Sequence, residues 1–355
     1  MSRKRGSQGS NKSGGKQSSA KQEKAKRKAD ARSREEQQQA GERLVTALTD
    51  KGDKKELWVW LGEFTFIAFL ALFGYLGMRP GGYGPVLVYA DGQRVLGLVS
   101  LLILIWGCVA CFRKPPLKRK GRIRALIAVV IVIGLGMNPF PYPSSREFEP
   151  STVEFRVPGA GDWRVYWGGE STETNLYAAW FPDRRWALAL MCTEDNGLFY
   201  DDSSRQRYST WGAEVLSPSA GRVVRLVDDE EDRDVYQRVE VNEELGNHLV
   251  IEVADGEFLF LCHLKQGSLR VAVGDEVEAG EILALVGYSG HSTVVGEPHL
   301  ELHLQTTPDA HKGEAIPWKF HNYLADGEFV EKGLPRGQVM GKGTLTGQLI
   351  RHAGP

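Results

Sequence analysis

Long apolar segments lie between residues 57 and 142. Leu57–Met78 carries one charged residue, Glu63, and Val95–Phe112 carries none. Each is long enough to cross about 30 Å of hydrocarbon as a helix. Ala125–Tyr142 is also apolar, although its apolar run ends at Met137 and prolines follow. The pattern predicts about three membrane-spanning helices, with a buried core helix as the alternative for the third.

From about Thr152 onward, apolar and polar residues alternate in short runs separated by Gly, Pro, Asn and Asp. Examples are "VEFRV", "WRVYW", "HLVIEV" and "EFLFLCHL". Many short runs of this kind indicate an all-β sandwich or barrel-like fold. The predicted organisation is a basic, largely disordered cytoplasmic tail over residues 1–56, a membrane domain over 57–143, a β domain over 144–325 and a Gly-rich C-terminal tail over 326–355.

One predicted strand, "EPHLELHLQ", combines apolar packing with metal-binding residue types. Side chains alternate faces along a strand, so His299, Glu301 and His303 fall on one side and three leucines on the other. Imidazole and carboxylate groups are common zinc ligands. Neighbours on one face are separated by roughly 6.6 Å of backbone rise, so a single ion would bind two of the three rather than all of them.

Charge divides the chain in the same place as hydropathy. Residues 1–143 contain 25 Lys/Arg and 10 Asp/Glu, whereas residues 144–355 contain 19 and 35. Basic residues near membrane segments favour the cytoplasmic side, and the first 56 residues and the loop Arg113–Arg122 are strongly basic. With three spans, the β domain would lie outside the cytoplasmic membrane, in the periplasm or the extracellular space. The basic tail is expected to be solvated, with no nucleic acid partner.

The cysteines do not form a disulfide framework. Cys108 and Cys111 form a CxxC inside the second apolar segment, where packing is the favoured role. Cys192 and Cys262 fall in the predicted exported domain. They could pair in an oxidising compartment, but the sequence does not show that they are close.

A series of short motifs resembles the lysostaphin-type (LytM-like) zinc endopeptidases, which are cell-wall enzymes. The motifs follow one another in the family's order and are Trp211-Gly212-x-x-Val215-Leu216-Ser217-Pro218, Gly221-x-Val223-Val224, Gly246-Asn247-His248, Cys262-His263-Leu264, Val273-Gly274-Asp275, Gly287-Tyr288-Ser289-Gly290 and Pro298-His299-Leu300. The resemblance covers roughly residues 150–310. It implies the β-sandwich called the duplicated hybrid motif.

The resemblance also implies roles for single residues. In that family, an H-x-x-x-D motif and the second His of an H-x-H pair bind zinc, and two further histidines assist catalysis. His263 and His299 match the assisting histidines, whereas Arg185, Ala189 and Glu301 stand at the three ligand positions. Alanine has no ligand atom, and arginine carries a permanent positive charge that repels Zn²⁺. Glutamate alone would be an acceptable ligand.

These substitutions favour a membrane-anchored, degenerate LytM-like module that binds peptidoglycan or a cell-wall hydrolase, such as an amidase, without cutting. No cofactor is expected for this function. His263, His299, Glu301 and His303 would line the binding groove.

Two alternatives remain at this point. In the first, an active zinc endopeptidase cleaves peptidoglycan cross-links with rearranged ligands, which are His263, His299, Glu301 and a carboxylate from Asp201 or Asp202. In the second, the histidines are ordinary structural residues of a β domain.

Overall fold

The computed structural model describes the helical and β regions of the chain. The described residues are 38–39, 56–78, 81–113, 120–137, 142–192, 205, 208–235, 237, 244–292, 295–339 and 346–354. Apart from residues 38–39 and 56, the predicted basic tail lies outside them. The helices of the apolar region are α1 (Leu57–Gly77), α2 (Tyr83–Leu87), α3 (Gln93–Arg113) and α4 (Lys120–Met137), with a π-helical turn at Val88–Gly92 before α3.

Two of these helices are long and apolar enough to cross a membrane. They are α1 and the Gln93–Phe112 part of α3, and the assignment rests on length and composition among the described residues. The predicted third span also forms a helix, α4. However, α4 begins with Lys120, Arg122 and Arg124 and does not meet the same standard. The structure therefore supports two candidate spans where the sequence predicted about three.

The three long helices pack through small residues. Gly62 of α1 lies against Val129 of α4, where an added Cβ would come within 3.0 Å of the valine side chain. Trp58 of α1 packs on Gly107 of α3 in the same manner. Glycines at helix contacts let two backbones approach closely, which is common between membrane helices.

The β domain contains a large and a small antiparallel sheet among the described residues. The strands are β1 (Trp163–Trp167), β2 (Leu188–Cys192), β3 (Glu214–Leu216), β4 (Gly221–Val227), β5 (Asn247–Ala254), β6 (Glu257–Leu264), β7 (Glu276–Val277), β8 (Ile282–Leu285), β9 (Leu300–Gln305), β10 (Phe320–Ala325), β11 (Glu328–Gly333) and β12 (Leu349–His352). A short helix, α5 (Leu176–Trp180), lies between β1 and β2. The prediction of a β-rich domain is confirmed.

The strand order places β9 in the middle of the large sheet. That order is β11-β10-β12-β1-β2-β9-β6-β5-β4-β7, and β3 pairs with β8 in the small sheet. The leucines at 300, 302 and 304 are buried in the main hydrophobic core, as the alternation of the sequence predicted. β9 is paired with β2 on one side and β6 on the other. Its polar face is also enclosed by protein, since none of His299, Glu301 and His303 is more than 1% exposed.

The C-terminal segment is part of this sheet. Residues 326–355 were expected to form a Gly-rich tail, yet β11 and β12 lie within them. β12 pairs with β1, with Trp163 opposite Ile350, and also with β10. The β domain therefore extends to at least His352. β11 forms a hairpin with β10 across Asp326 and Gly327, which is a turn signal that the sequence offered. β12 is short and pairs with more distant segments, so the local pattern gives little sign of it.

The segment after α4 is bound to the β domain through a buried glutamate, Glu314, which is 1% exposed. Tyr142 donates a hydrogen bond of 2.6 Å from its hydroxyl to Glu314 Oε1, and the Ser145 hydroxyl donates to Glu314 Oε2. Ser144 Oγ donates to the Ala315 carbonyl at 3.0 Å. On the helical side, the Tyr142 ring packs edge-on against Tyr89, with 5.2 Å between centroids. These contacts join the helical region to the β domain.

Candidate functional site

The candidate site is built on three neighbouring strands. In the register of the large sheet, Glu301 of β9 lies opposite Ala189 of β2 on one side and Cys262 of β6 on the other. His299 and His303, two positions before and after Glu301, share its face of the strand. His299 and Glu301 are 0% exposed and His303 is 1% exposed. The side chains predicted to form a polar face therefore lie together inside the protein.

His263 joins this group through an irregularity in β6. Asn247 pairs with Leu264 and Leu249 pairs with Leu261, so two residues of β6 stand opposite one residue of β5. This is a β-bulge, and His263 within it has a φ of 62°, which is uncommon for a residue other than glycine. The bulge places the His263 ring beside that of His299, with 4.7 Å between centroids.

Both imidazoles direct the same ring nitrogen into the cluster. The Nδ1 atom of His299 lies 2.7 Å from the Glu297 carbonyl, and that of His263 lies 3.0 Å from the Ser289 carbonyl. A carbonyl only accepts, so each Nδ1 carries the proton and each Nε2 keeps its lone pair when the ring is neutral. Both Nε2 atoms are buried without a hydrogen-bond partner among the described residues. That of His263 lies 3.5 Å from Glu301 Oε2.

A buried arginine, Arg184, supplies the positive charge of the cluster. It is 2% exposed, and its Nη1 donates to Glu301 Oε1 at 3.4 Å. Its Nη2 donates to Glu244 at 2.9 Å, and its Nε lies 3.7 Å from Asp183. The guanidinium carbon also lies 4.0 Å from the centre of the Phe181 ring. One guanidinium thus links three carboxylates, of which Glu301 is the most deeply buried.

The charges fix the protonation of the central groups. Burial would raise the pKa of the Glu301 carboxyl, but Arg184 and contacts with His263 and His303 hold that pKa well below its usual range. Burial and the neighbouring His263 lower the pKa of His299 to about 3. Burial also lowers the pKa of His303. Glu301 is therefore ionised and His299 is neutral at physiological pH.

The accessible edge of the cluster is formed by His311 and Glu244. His311 Nδ1 lies 3.3 Å from Asp183, its Nε2 lies 3.5 Å from Glu244, and the side chain is 40% exposed. The hydrogen bond to Asp183 raises the pKa of His311. We call His311 and Glu244 the rim.

The sequence of this region matches one protein family. Residues 207–316 match the family model for peptidase family M23. The chain contains an M23 domain. This agrees with the resemblance drawn from the motifs, since lysostaphin-type enzymes are M23 peptidases. No curated protein sequence matches the chain.

Solved structures of M23 proteins resemble the chain at low identity. The catalytic domain of EnpA from Enterococcus faecalis, in a mutant form, is 20% identical, with a TM-score of 0.29 over 46% of this chain and 93% of that one. The catalytic domain of lysostaphin from Staphylococcus simulans is 17% identical, with a TM-score of 0.26 over 43% and 86%. A zinc-containing peptidase from Vibrio cholerae is 17% identical, with a TM-score of 0.28 over 47% and 39%.

The M23 family consists of zinc metallopeptidases. At two of the three ligand positions assigned from the motifs, Arg185 and Ala189 do not fit a zinc ion, because neither side chain can bind it. Ala189, at the position assigned to the aspartate ligand, faces Glu301 directly and offers no ligand atom. Three donors remain: the ligand atoms of His263, His299 and Glu301 lie within 4.8 Å of one another. A second group, Cys262, Glu301 and His303, overlaps with the first at Glu301. Both groups share their carboxylate with the Arg184 guanidinium.

The structure brings most of the predicted residues together and separates one. His263, His299, Glu301 and His303 form the cluster, but none is more than 1% exposed, so they do not line an open groove. Arg185, expected at a ligand position, points away from them. Its guanidinium contacts the Tyr142 carbonyl and, at 3.1 Å, Glu147.

Other predicted residues fall outside the cluster or the described part of the chain. Asp201 and Asp202, offered as ligands for an active enzyme, lie outside the described residues. Cys192 and Cys262 are not joined by a disulfide in this structure.

Sequence reasoning missed several members of the site, among them Arg184 and Tyr177. Tyr177 of α5 is fully buried, and burial together with the nearby Glu301 raises its pKa well above the usual range. For Arg184 a signal existed, because a glutamate on a closed polar face requires a cation. The "DRR" segment contains two arginines, and only the fold shows which of them is buried beside Glu301.

Proposed function

We propose that the chain is a membrane-anchored, non-catalytic M23 domain that binds peptidoglycan, or a cell-wall amidase, in the cell envelope. M23 peptidases act on peptidoglycan, which gives the class of ligand. The observation that carries the proposal is the pairing of Ala189 with Glu301 on adjacent strands. A catalytic zinc site needs three protein ligands and an open position, and this strand pair contributes one carboxylate at most.

The buried ion pair supports the same function. Glu301 is paired with Arg184 at 3.4 Å, and the cluster is closed to solvent. A catalytic metal site keeps one position open for water or substrate. A domain with a filled and closed site still presents its rim, His311 and Glu244, as a surface for a partner.

Location follows from the helical region. We infer that α1 and α3 span the cytoplasmic membrane and that the M23 domain lies on its outer side, where peptidoglycan is found. The basic residues before α1 and between α3 and α4 favour the cytoplasmic side for both segments. This arrangement requires a third crossing through α4. A reporter fused to the C-terminus, active only outside or only inside the cytoplasm, tests it; activity inside would reject the envelope function.

The binding function is tested with the full chain in detergent and purified peptidoglycan sacculi. We expect the chain to sediment with the sacculi and to release no soluble peptides while an active M23 peptidase, added in parallel, digests the suspension. A rim variant, His311→Ala with Glu244→Ala, should sediment less. If the chain does not sediment, its effect on a cell-wall amidase is measured next, and no effect there rejects the proposal.

A zinc endopeptidase is the second candidate, favoured by the orientation of the two buried imidazoles. His263 directs Nε2 toward Glu301, and the ligand atoms of His263, His299 and Glu301 lie within 4.8 Å of one another. Two histidines with one glutamate form a ligand set used by other zinc peptidases. Zinc held there would polarise a peptide carbonyl and activate water. Release of peptides from sacculi, together with about one zinc per chain, would establish this candidate and overturn the first.

A further inference from the structure

We infer that the Arg184 guanidinium takes the place of a metal ion in this M23 domain, and that its removal would convert His263, His299 and Glu301 into a zinc site. This inference rests on the proposed function, because both require the unaltered chain to hold no zinc at this position. It adds the reason why the metal is excluded. It also identifies the residue responsible.

The first step concerns charge. Glu301 is 0% exposed, and a buried carboxylate is stable only when a cation or several hydrogen-bond donors compensate it. Arg184, itself 2% exposed, provides that cation at 3.4 Å. Arginine does not lose its proton in proteins, so the compensation is permanent. In a metallopeptidase the ion itself would supply this charge.

The second step concerns the donors left around Glu301. Each of the two histidines has its Nδ1 committed to a backbone carbonyl, which is the arrangement that second-shell groups impose on zinc-binding histidines. Each Nε2 is buried and lacks a hydrogen-bond partner among the described residues. Two imidazole nitrogens and a carboxylate that lie this close together form a donor set that zinc binds.

The third step concerns distance. The three ligand atoms lie within 4.8 Å of one another. Zinc bonds of about 2.1 Å in tetrahedral geometry hold ligand atoms roughly 3.4 Å apart, so movements on the order of an ångström would complete the set. His263 is in a bulge and His299 directly precedes β9, so both lie where a strand is least rigidly paired.

The fourth step concerns competition between cations. Glu301 Oε1 contacts Arg184, and Oε2 contacts His263. A divalent ion on Oε2 would therefore lie close to a fixed positive charge in a buried place, where water screens the repulsion weakly. Removing the guanidinium abolishes this repulsion and at the same time leaves Glu301 without its cation. Both changes should raise the affinity of the site for zinc.

The test compares Arg184→Ala with Arg185→Ala in the full chain. Arg185 is the matched control, because it is the adjacent arginine but contacts Glu147 and the Tyr142 carbonyl instead of the cluster. Each protein, in detergent, is dialysed against trace zinc, and its metal content is measured by elemental mass spectrometry. We expect about one zinc per chain in Arg184→Ala, and less than roughly a tenth of that in the unaltered chain and in Arg185→Ala.

One further variant and one further measurement keep the result decisive. Arg184→Ala with Glu301→Gln removes both charges and should fold without binding zinc. Arg184→Ala alone is also refolded with zinc and with a chelator, and we expect its melting temperature to rise with zinc while those of the unaltered chain and Arg185→Ala do not change.

The outcomes separate the inference from the proposed function. Stoichiometric zinc in the unaltered chain would overturn both. A folded Arg184→Ala without zinc would overturn the inference and leave the proposed function standing. If Arg184→Ala fails to fold even with zinc, the inference also fails, whether or not the doubly neutral variant folds. In that case zinc does not replace the guanidinium. Either it does not bind, or it does not fill the space that the Arg184 side chain occupies.

Discussion

Two buried glutamates of the β domain, Glu301 and Glu314, are stabilised in different ways. Glu301 is ion-paired with Arg184 and has ring nitrogens of His263 and His303 within 3.5 Å of its carboxylate. Glu314 accepts hydrogen bonds from the hydroxyls of Tyr142 and Ser145. Neutral donors suit a carboxylate whose task is to hold two segments together. A full positive charge suits a site in which several metal-ligand groups converge, because such a site attracts a cation of some kind.

The two glutamates also differ in the part of the protein that each one stabilises. The Glu301 cluster is formed by strands of one sheet and lies where M23 enzymes hold zinc, according to the motif resemblance. The Glu314 contacts join the segment after α4 to the loop before β10. We therefore expect changes at Glu301 to alter metal binding and global stability. Changes at Glu314 should mainly loosen the junction with the helical region.

The largest effect is expected at Arg184. Arg184→Met, measured in a chelating buffer, should lower the free energy of unfolding by about 3–5 kcal/mol, because it leaves an uncompensated buried carboxylate. Adding Glu301→Gln should restore most of that loss, since both charges are then absent. Denaturant unfolding of the four proteins of this double-mutant cycle gives the coupling energy. A loss below about 1 kcal/mol in the single variant would show that Glu301 does not depend on this ion pair.

The second-largest loss of stability is expected from a steric change at Gly246, near His263. Gly246 has a φ of 61°, and an added Cβ would lie 2.4 Å from the carbonyl carbon of Ser289, whose oxygen accepts the His263 hydrogen bond. Gly246→Ala should cost roughly 2–4 kcal/mol, from backbone strain together with overpacking.

Gly256→Ala is the matched control for that steric change. Gly256 has a φ of 69° with no atom within 4 Å of the added Cβ, so only the backbone cost of about 1–2 kcal/mol applies. Thermal unfolding of both variants measures the difference. Equal losses of stability in the two variants would mean that the backbone moves away from Ser289 at no energetic cost.

A third, more local effect is expected at Glu314. Glu314→Ala removes the acceptor of two hydroxyl hydrogen bonds and should cost about 1–3 kcal/mol, and Tyr142→Phe, which removes one of them, about 1 kcal/mol. Hydrogen exchange of residues 142–147 should accelerate in both variants, and more in the first. Unchanged exchange there would show that the junction does not depend on this carboxylate.

The smallest effect is a pH dependence at His311. Its folded-state pKa is raised, mainly by the hydrogen bond to Asp183, with Glu244 also adjacent and Arg184 opposing. A raised histidine pKa stabilises the fold fully below its unfolded value of about 6.5, and the gain disappears as pH rises through the folded value. His311→Gln should therefore be less stable than the unaltered chain at about pH 5.5, and equal to it at about pH 8.5.

The titration of His311 is followed by thermal unfolding at the two pH values. Because the side chain is 40% exposed, solvent screens the interaction and the difference should be modest. A difference that is larger at high pH would have the wrong sign and would rule out a protonated His311 at the rim.

Much of the cluster was predictable from one strand. Alternation in "PHLELHL" already placed His299, Glu301 and His303 on one face, and the motif order placed His263 nearby. The same reasoning did not show which way Arg185 points, and it missed the strands of the C-terminal segment. The direction of an arginine side chain in a loop depends on which charges the fold brings near it. β12 exists only because β1 and β10 present free edges for it to pair with.

The apolar helices, the β-rich domain, its M23 motifs and the residue types of the site could all be recognised in the sequence. Each of these depends on periodicity or on short contiguous motifs. Three facts became visible only in the folded chain. Arg184 is paired with Glu301, Ala189 faces that glutamate, and the cluster is closed to solvent. These facts depend on strand register and on loops that are distant in sequence, where burial makes each unpaired charge costly and so selects its partner.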